Sequence, residues 1–251
     1  MSTEDDARTV MLKGVRLSFT DALPEKKKSS DDENAKPKHG LNIIIETTGP
    51  YAKYAEENKK KCIDALKAAG EQKWKKPEMY KIIAEDAPKR VCFRKGEKFR
   101  NREGTTYTGY EGNYAMSVSG PNGGQRRPRL IDRRKRILIG PGDSIPTSTK
   151  QEIVNINAAE IADIFYSGTY ADVKVSFFGT EKGSNGIFAT CELIRSYQQG
   201  ERMAGGYQFT DDDLDEMDDL EPLGGDDDDF DSPSSKPAAG KKAASIDDDD
   251  I

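Results

Sequence analysis

The sequence predicts a mainly β chain: an OB-fold-like small barrel with a helix insertion, followed by a disordered acidic C-terminal tail. Three observations carry this. Short runs in which apolar and polar residues alternate recur along the first 200 positions, the period of half-buried strands. One long stretch after residue 50 follows a helical period instead. Residues 210–251 hold 17 of the 45 acidic residues but only 3 of the 39 Lys and Arg, with few large apolar side chains. Such a segment buries too little to offset its chain entropy.

The elements follow in order. In "GVRLSF", Val15, Leu17 and Phe19 share one strand face, with Arg16 and Ser18 on the other. "PEKKKSSDDENAKPK" is polar and proline-flanked and reads as a mobile loop. "HGLNIIIE" has the β-branched run of a buried strand. In "GPYAKYAEENKKKCIDALKAAG", Tyr51, Tyr54, Ala55, Cys62, Ala65, Leu66 and Ala69 recur at helical spacing. Pro50 suits the helix start and Gly70 its stop. "KPEMYKIIAED" reads as a second helical piece.

From about residue 90 the pattern turns to β. "RVCFRKG", "TYTGYEGNYAMSVSG" and "RPRLIDRRKRILIG" are divided by glycine-rich turns. In "GTYADVKVSFFGT", Ala171, Val173, Val175 and Phe177 point one way, while Lys174, Ser176 and Phe178 point the other. "GIFATCELIRSY" follows, and Asn185-Gly186 between the two predicts a hairpin. Five or more strands with one firm helix suit a small barrel, of which the OB-fold is the commonest version. A two-sheet sandwich has the same alternation. The organisation is then a barrel domain over 1–209 and a tail over 210–251.

Charge divides the chain at the same place. Residues 1–209 hold 36 Lys and Arg against 28 Asp and Glu, so a basic body precedes an acidic tail. That asymmetry points to a nucleic-acid or other polyelectrolyte partner. No run of 18 apolar residues occurs, so no membrane span is expected, and the acidic N-terminus is unlike a signal peptide. Cys62, Cys92 and Cys191 are widely spaced and read as reduced core thiols in a cytoplasmic setting. With one histidine, His39, no metal site is expected. Asp132, Glu152, Glu160 and Asp163 have no ligand-like spacing and read as solvated.

The densest cationic stretch is "RRPRLIDRRKR", with Arg126, Arg127, Arg129, Arg133, Arg134, Lys135 and Arg136 relieved only by Asp132. An ion-paired surface would interleave more acids, so phosphate contact is the favoured role. Just before it, "FRNREGTTYTGYEGNYAM" mixes Phe99, Arg100, Arg102, Tyr107, Tyr110 and Tyr114. Aromatic rings beside arginines are what single-stranded nucleic acid requires, rings for bases and cations for backbone. Lys174 and Phe178 add a second such pair. Trp74 reads as packing the helix onto the barrel. Walker-type, HExxH and GxSxG motifs are all missing, so neither an enzyme nor a cofactor is expected.

"VMLKGVRLSF", "HGLNIIIE", "RKGEKFRNREGTTYTGYEGNYAMSVS", the "YADVKVSFFGTEKGSNGIFATCELIR" hairpin and the Asp-rich tail together resemble a bacteriophage family of single-stranded DNA-binding proteins. The resemblance covers residues 8–200 and implies an OB-fold acting on single-stranded DNA in phage replication, recombination or repair, in the host cytoplasm. It also implies a tail tip, Asp247, Asp248, Asp249, Asp250 and Ile251, that binds replication or recombination proteins. Bacterial tails of this kind carry proline and phenylalanine after the aspartates, and this tip has neither. Tethered beside a cationic groove, the tail would also compete with DNA at high effective concentration. A homodimer is the assembly such a barrel leans to. Two other classes compete: an acidic-tail chaperone or DNA mimic that binds a basic protein, and a metal-dependent nuclease.

Overall fold

The first strand shows how the barrel is built and where alternation misleads. The structure, a computed structural model, describes residues 6–28, 35–198 and 200–203. Strand β1 (Thr9–Ser18) buries Leu12, Val15 and Leu17, a spacing that plain alternation forbids. A bulge between Leu12 and Val15, with Gly14 at φ 60°, resets the parity. Its loose backbone groups are satisfied from outside the sheet. Asn58 donates to the Lys13 carbonyl at 2.7 Å and accepts from the Lys13 N–H at 3.1 Å. The Asp172 carboxylate accepts from the Gly14 N–H. Phe19 then departs from the inward face predicted for it. It lies in the left-handed region at φ 52°, ends the strand, and turns its ring outward.

The β1 strand pairs antiparallel with β2 (Gly40–Ile45) and β8 (Tyr170–Thr180). Next, β2 pairs with β4 (Tyr114–Ser119), and β8 with β9 (Gly186–Gln198). A short parallel pairing of β4 with β9, Val118 opposite Ala189, closes the ring. The five strands therefore run β1-β2-β4-β9-β8 and back to β1. This is the closed OB-type barrel expected, and the closure excludes two separate sheets. Four short strands extend it. β3 (Phe93–Lys95) lies along β4, while β5 (Arg129–Ile131), β6 (Ile137–Ile139) and β7 (Ile153–Asn155) continue outward from β9. On β8, Val173, Val175 and Phe177 are buried and Lys174 and Phe178 exposed, as their alternation requires.

The insertion between β2 and β4 carries α1 (Ala55–Trp74) and α2 (Met79–Asp86). α1 passes through Gly70 instead of stopping there and is capped by Lys75 in the left-handed conformation. Gly70 serves a close approach: an added Cβ would sit 2.6 Å from the Lys76 carbonyl oxygen. Cys62, Ala65, Leu66 and Ala69 face the core. Trp74 packs against Gly179 of β8, where a side chain would collide with its ring. The three cysteines are free and buried, and burial pushes all three thiols up, Cys92 to about 12, which keeps them protonated and unreactive. A third helix, α3 (Ala158–Ile164), went unread. Its signal was present in "NAAE": Asn157 and Glu160 form a reciprocal capping box, a cap worth about 1 kcal/mol.

The expected strand in "TYTGYEGNYAMSVSG" begins only at Tyr114. Residues 96–113 form a turn-rich loop that folds back over the outer face of β2 and β4, packing Phe99 and Tyr110 on Ile44 and Ala115. Gly96 lets the loop return: its N–H donates to the Asn113 carbonyl, and a Cβ there would overlap the Tyr110 carbonyl. Gly96→Ala is therefore expected to destabilise the protein by about 2–4 kcal/mol, in the range of backbone strain and lost packing. Urea unfolding reads this as a lower midpoint.

Among the described residues, no helix is long and apolar enough to cross a membrane, and no three His, Cys, Asp or Glu side chains gather as metal ligands.

Candidate nucleic-acid interface

A groove of about 770 Å³ opens on the described body. One wall is the segment after β1, from Ser18 to Lys27; the facing wall is the loop around Asn101–Tyr110. Tyr166, Ser167, Arg202 and Met203 complete it. Its aromatic cluster is graded from core to solvent. Tyr110 is fully buried, its hydroxyl accepting from Asn42 at 2.9 Å. Phe99 lies 5.4 Å from it, with the Arg94 guanidinium 4.3 Å above the Phe99 ring. Tyr107 rests half-buried on Tyr110, and Phe19 meets Tyr107 edge-on at 4.8 Å while remaining 44% exposed. The inner rings fix the outer ones, so the groove presents flat apolar faces that are already positioned.

Tyr166 also lines the groove. Tyr166 donates its hydroxyl proton to the Gly200 carbonyl at 2.6 Å, and the Arg202 guanidinium sits 4.1 Å above its ring. Arg202 also reaches Asp163 at 3.4 Å, but both are well exposed, so that pair contributes about 1 kcal/mol or less. Asp21 and Glu25 line the groove alongside Lys27 and Arg202. This balance suits neutral planar groups better than a run of phosphates.

The wall after β1 is held from behind. The buried Arg127 guanidinium donates to the Leu23 carbonyl at 2.6 Å and the Pro24 carbonyl at 2.8 Å, and pairs with Asp143 at 2.7 Å. The His39 ring sits 2.7 Å from the Ala22 carbonyl. Burial, then the neighbouring Arg127 and Lys26 charges, outweigh that hydrogen bond and lower its pKa, so the ring is neutral and Nδ1–H is the donor.

The structure scatters the residues expected to bind DNA, and three are corrected. Tyr110 and Phe99 are packing residues, because the loop that carries them folds over the barrel. Arg127 is a buried strut and is unavailable to phosphate. Of the remaining aromatics, Tyr107 lines the groove. Tyr114 stacks on Phe93 at 5.7 Å beneath Lys59 of α1, away from the groove-lining residues. Arg100 and Arg102 are exposed on the 96–113 loop, Arg100 donating Nε–H to the Glu97 carbonyl. Arg126 is exposed and Arg129 donates to the Ser144 carbonyl. Arg133, Arg134, Lys135 and Arg136 form the turn between β5 and β6. Phe178 faces Phe188 on β8–β9, with Lys174 on the same outer face. Asp247–Ile251 lie outside the described residues. Sequence reasoning missed Tyr166 and Arg202, and it placed Phe19 inside. The "FYSG" turn after α3 was the available sign for Tyr166.

Comparison with known proteins gives matches of one kind. The family model described as "Enterobacter phage Enc34, ssDNA-binding protein" matches residues 8–223. A protein of the Acyrthosiphon pisum secondary endosymbiont phage 1, called putative protein p50, is 26% identical over 151 residues, spanning 59% of this chain and 64% of that protein. Among solved structures, the single-stranded DNA-binding protein from bacteriophage Enc34 in complex with ssDNA superposes with a TM-score of 0.56 at 14% identity, over 79% of this chain and 90% of that one. A second structure of the single-stranded DNA-binding protein from bacteriophage Enc34 gives 0.55 at 14% identity, over 83% of this chain and 90% of that one. At that identity the structural likeness speaks for the fold.

Proposed function

This chain belongs to the Enterobacter phage Enc34 ssDNA-binding protein family, and from that premise we propose that it is a non-catalytic, sequence-tolerant single-stranded DNA-binding protein, and that DNA bases enter the groove lined by Phe19, Tyr107 and Tyr166. The observation that carries this reading is the exposed Phe19–Tyr107 pair, backed by buried rings and opening into a groove on an OB-type barrel. Stacking on a π-face tolerates any base. The phosphates would follow cations at the rim, among them Lys27, Arg100 and Arg202. Phosphate neutralisation makes binding weaken with salt through counterion release. In this reading the protein works in phage DNA replication, recombination or repair. The Asp-rich segment from 210 onward competes with weakly held duplex, and its tip engages replication or recombination proteins.

Fluorescence anisotropy with labelled single-stranded and duplex oligonucleotides tests the reading, comparing the full chain with a version ending at Phe209. The full chain is expected to prefer single strands, and truncation to tighten duplex binding. No binding to either DNA by either version would overturn the DNA assignment. Unchanged duplex binding after truncation would overturn the tail's role alone.

A further inference from the structure

The turn joining β5 to β6 is a small, rigid, cationic finger. Asp132 organises it from inside. Its carboxylate accepts the Arg136 N–H at 2.9 Å and the Arg136 Nε–H at 2.8 Å, and its backbone exchanges hydrogen bonds with Lys135 and Arg136. The one acid in the turn is thereby spent on holding its shape. Arg133, Arg134 and Lys135 are left at the tip, all exposed. Their side chains make no ion pair or hydrogen bond among the described residues.

Two contrasts separate this from an ordinary solvated surface. In the helical insertion Lys59, Lys61, Lys67, Lys73 and Lys81 each reach a carboxylate, leaving Lys60 and the pair Lys75 and Lys76 without one among the described residues, whereas the finger sets three such cations side by side. The finger has no such neutralisation. Second, Lys135 occupies the left-handed region at φ 67°, where glycine or asparagine is the unstrained choice. The same conformation at Lys75 ends α1, whereas at Lys135 it falls in the turn that groups the three exposed cations.

The finger is rooted at the groove. Arg127, two residues before β5, holds the groove wall at Leu23 and Pro24 and pairs with Asp143, just beyond β6. β5 (Arg129–Ile131) leads from that anchor into the turn that carries the tip.

We propose that the β5–β6 finger is a second, separate phosphate site: Arg133, Arg134 and Lys135 grip the sugar-phosphate backbone of the same single strand after it leaves the aromatic groove. The inference rests on the proposed function. It predicts a division of labour, with bases held by rings in the groove and backbone charge neutralised at the finger.

The test uses the full chain and a variant carrying Arg133→Gln, Arg134→Gln and Lys135→Gly, the last of which relieves backbone strain. Asp132 and Arg136 are kept so that the turn persists, and thermal unfolding confirms the fold. Binding is measured against salt with single-stranded oligonucleotides of roughly 6 and roughly 20 nucleotides, one near the lower end of the usual OB-fold site size and one above it. With the longer strand, the slope of log K against log salt is expected to become shallower by about 2, from three lost phosphate contacts at about 0.7 each. The shorter strand should bind both proteins alike. Equal slopes on the longer strand would overturn the finger site. So would equal losses on both lengths, or a loss confined to duplex or to a basic-patch-binding protein. If the unmodified chain binds neither oligonucleotide, the proposed function itself fails, a result distinct from any of these.

Discussion

Replacing Arg127 with alanine is expected to destabilise the protein by about 3–5 kcal/mol, the range for breaking a buried ion pair and leaving its partner unpaired. Its side chain is 2% exposed and that of Asp143 only 16%. Removing the guanidinium takes the charge partner from that carboxylate, which keeps the Gly140 N–H at 3.0 Å, and takes a donor from the Leu23 and Pro24 carbonyls, a loss that costs free energy at buried groups. The loss is a large share of the 5–15 kcal/mol that keeps a typical domain folded. Arg126, its exposed neighbour, gives the control: Arg126→Ala is expected to shift stability by less than about 0.5 kcal/mol. Urea unfolding of the full chain measures both. Equal stability of the two variants would remove the strut and return Arg127 to the list of residues available to DNA. The prediction also sorts cause from effect in binding data. An Arg127 variant that binds DNA poorly does so because the groove wall at Leu23 and Pro24 has come loose.

Arg127 also illustrates which features were legible in sequence. Local periodicity reports the face a residue takes within a regular element, and it placed Val173, Val175 and Phe177 inside and Phe178 outside. It fails where the chain inserts a residue or leaves the regular element. The bulge at Gly14 shifted the parity of β1, and the left-handed turn at Phe19 reversed the direction of that ring. Gly70 looked like a helix stop because a missing side chain has two uses, conformational freedom and close approach, and sequence does not distinguish them. The loop over residues 96–113 misled in a different way. Its polar, glycine-rich composition marks a surface segment, yet the segment folds back and buries its own Tyr110 and Phe99. Charge density was legible as a total only. Of the seven cations in "RRPRLIDRRKR", Arg127 is a core strut, Arg136 pairs with Asp132, and Arg133, Arg134 and Lys135 stand free at a turn. That division depends on which carbonyls and carboxylates the fold brings near each one, and these lie on distant segments.

Phe19→Ala and Tyr107→Ala are each expected to weaken single-stranded DNA binding by about 1–3 kcal/mol, or roughly 5- to 150-fold, with the fold retained. Each ring is partly open to solvent, so truncation removes little core packing. The two effects should not add. The rings meet edge-on at 4.8 Å, so losing either also loosens the other, and a coupling of about 0.5–1.5 kcal/mol is expected in a double-mutant cycle. Tyr110→Phe supplies the opposite case. It deletes the hydroxyl that Asn42 bonds and leaves the ring in place. Stability should fall by about 1 kcal/mol with DNA affinity unchanged, because Tyr110 supports the outer rings without facing the groove's contents. Titration of the five proteins, the unmodified chain, the three single variants and the double variant, with one oligonucleotide at fixed salt, beside their unfolding midpoints, separates the two roles. Full affinity in both Phe19→Ala and Tyr107→Ala would move the DNA out of this groove. A loss in Tyr110→Phe equal to theirs would mean that the cluster acts through its packing, with no ring stacking on a base.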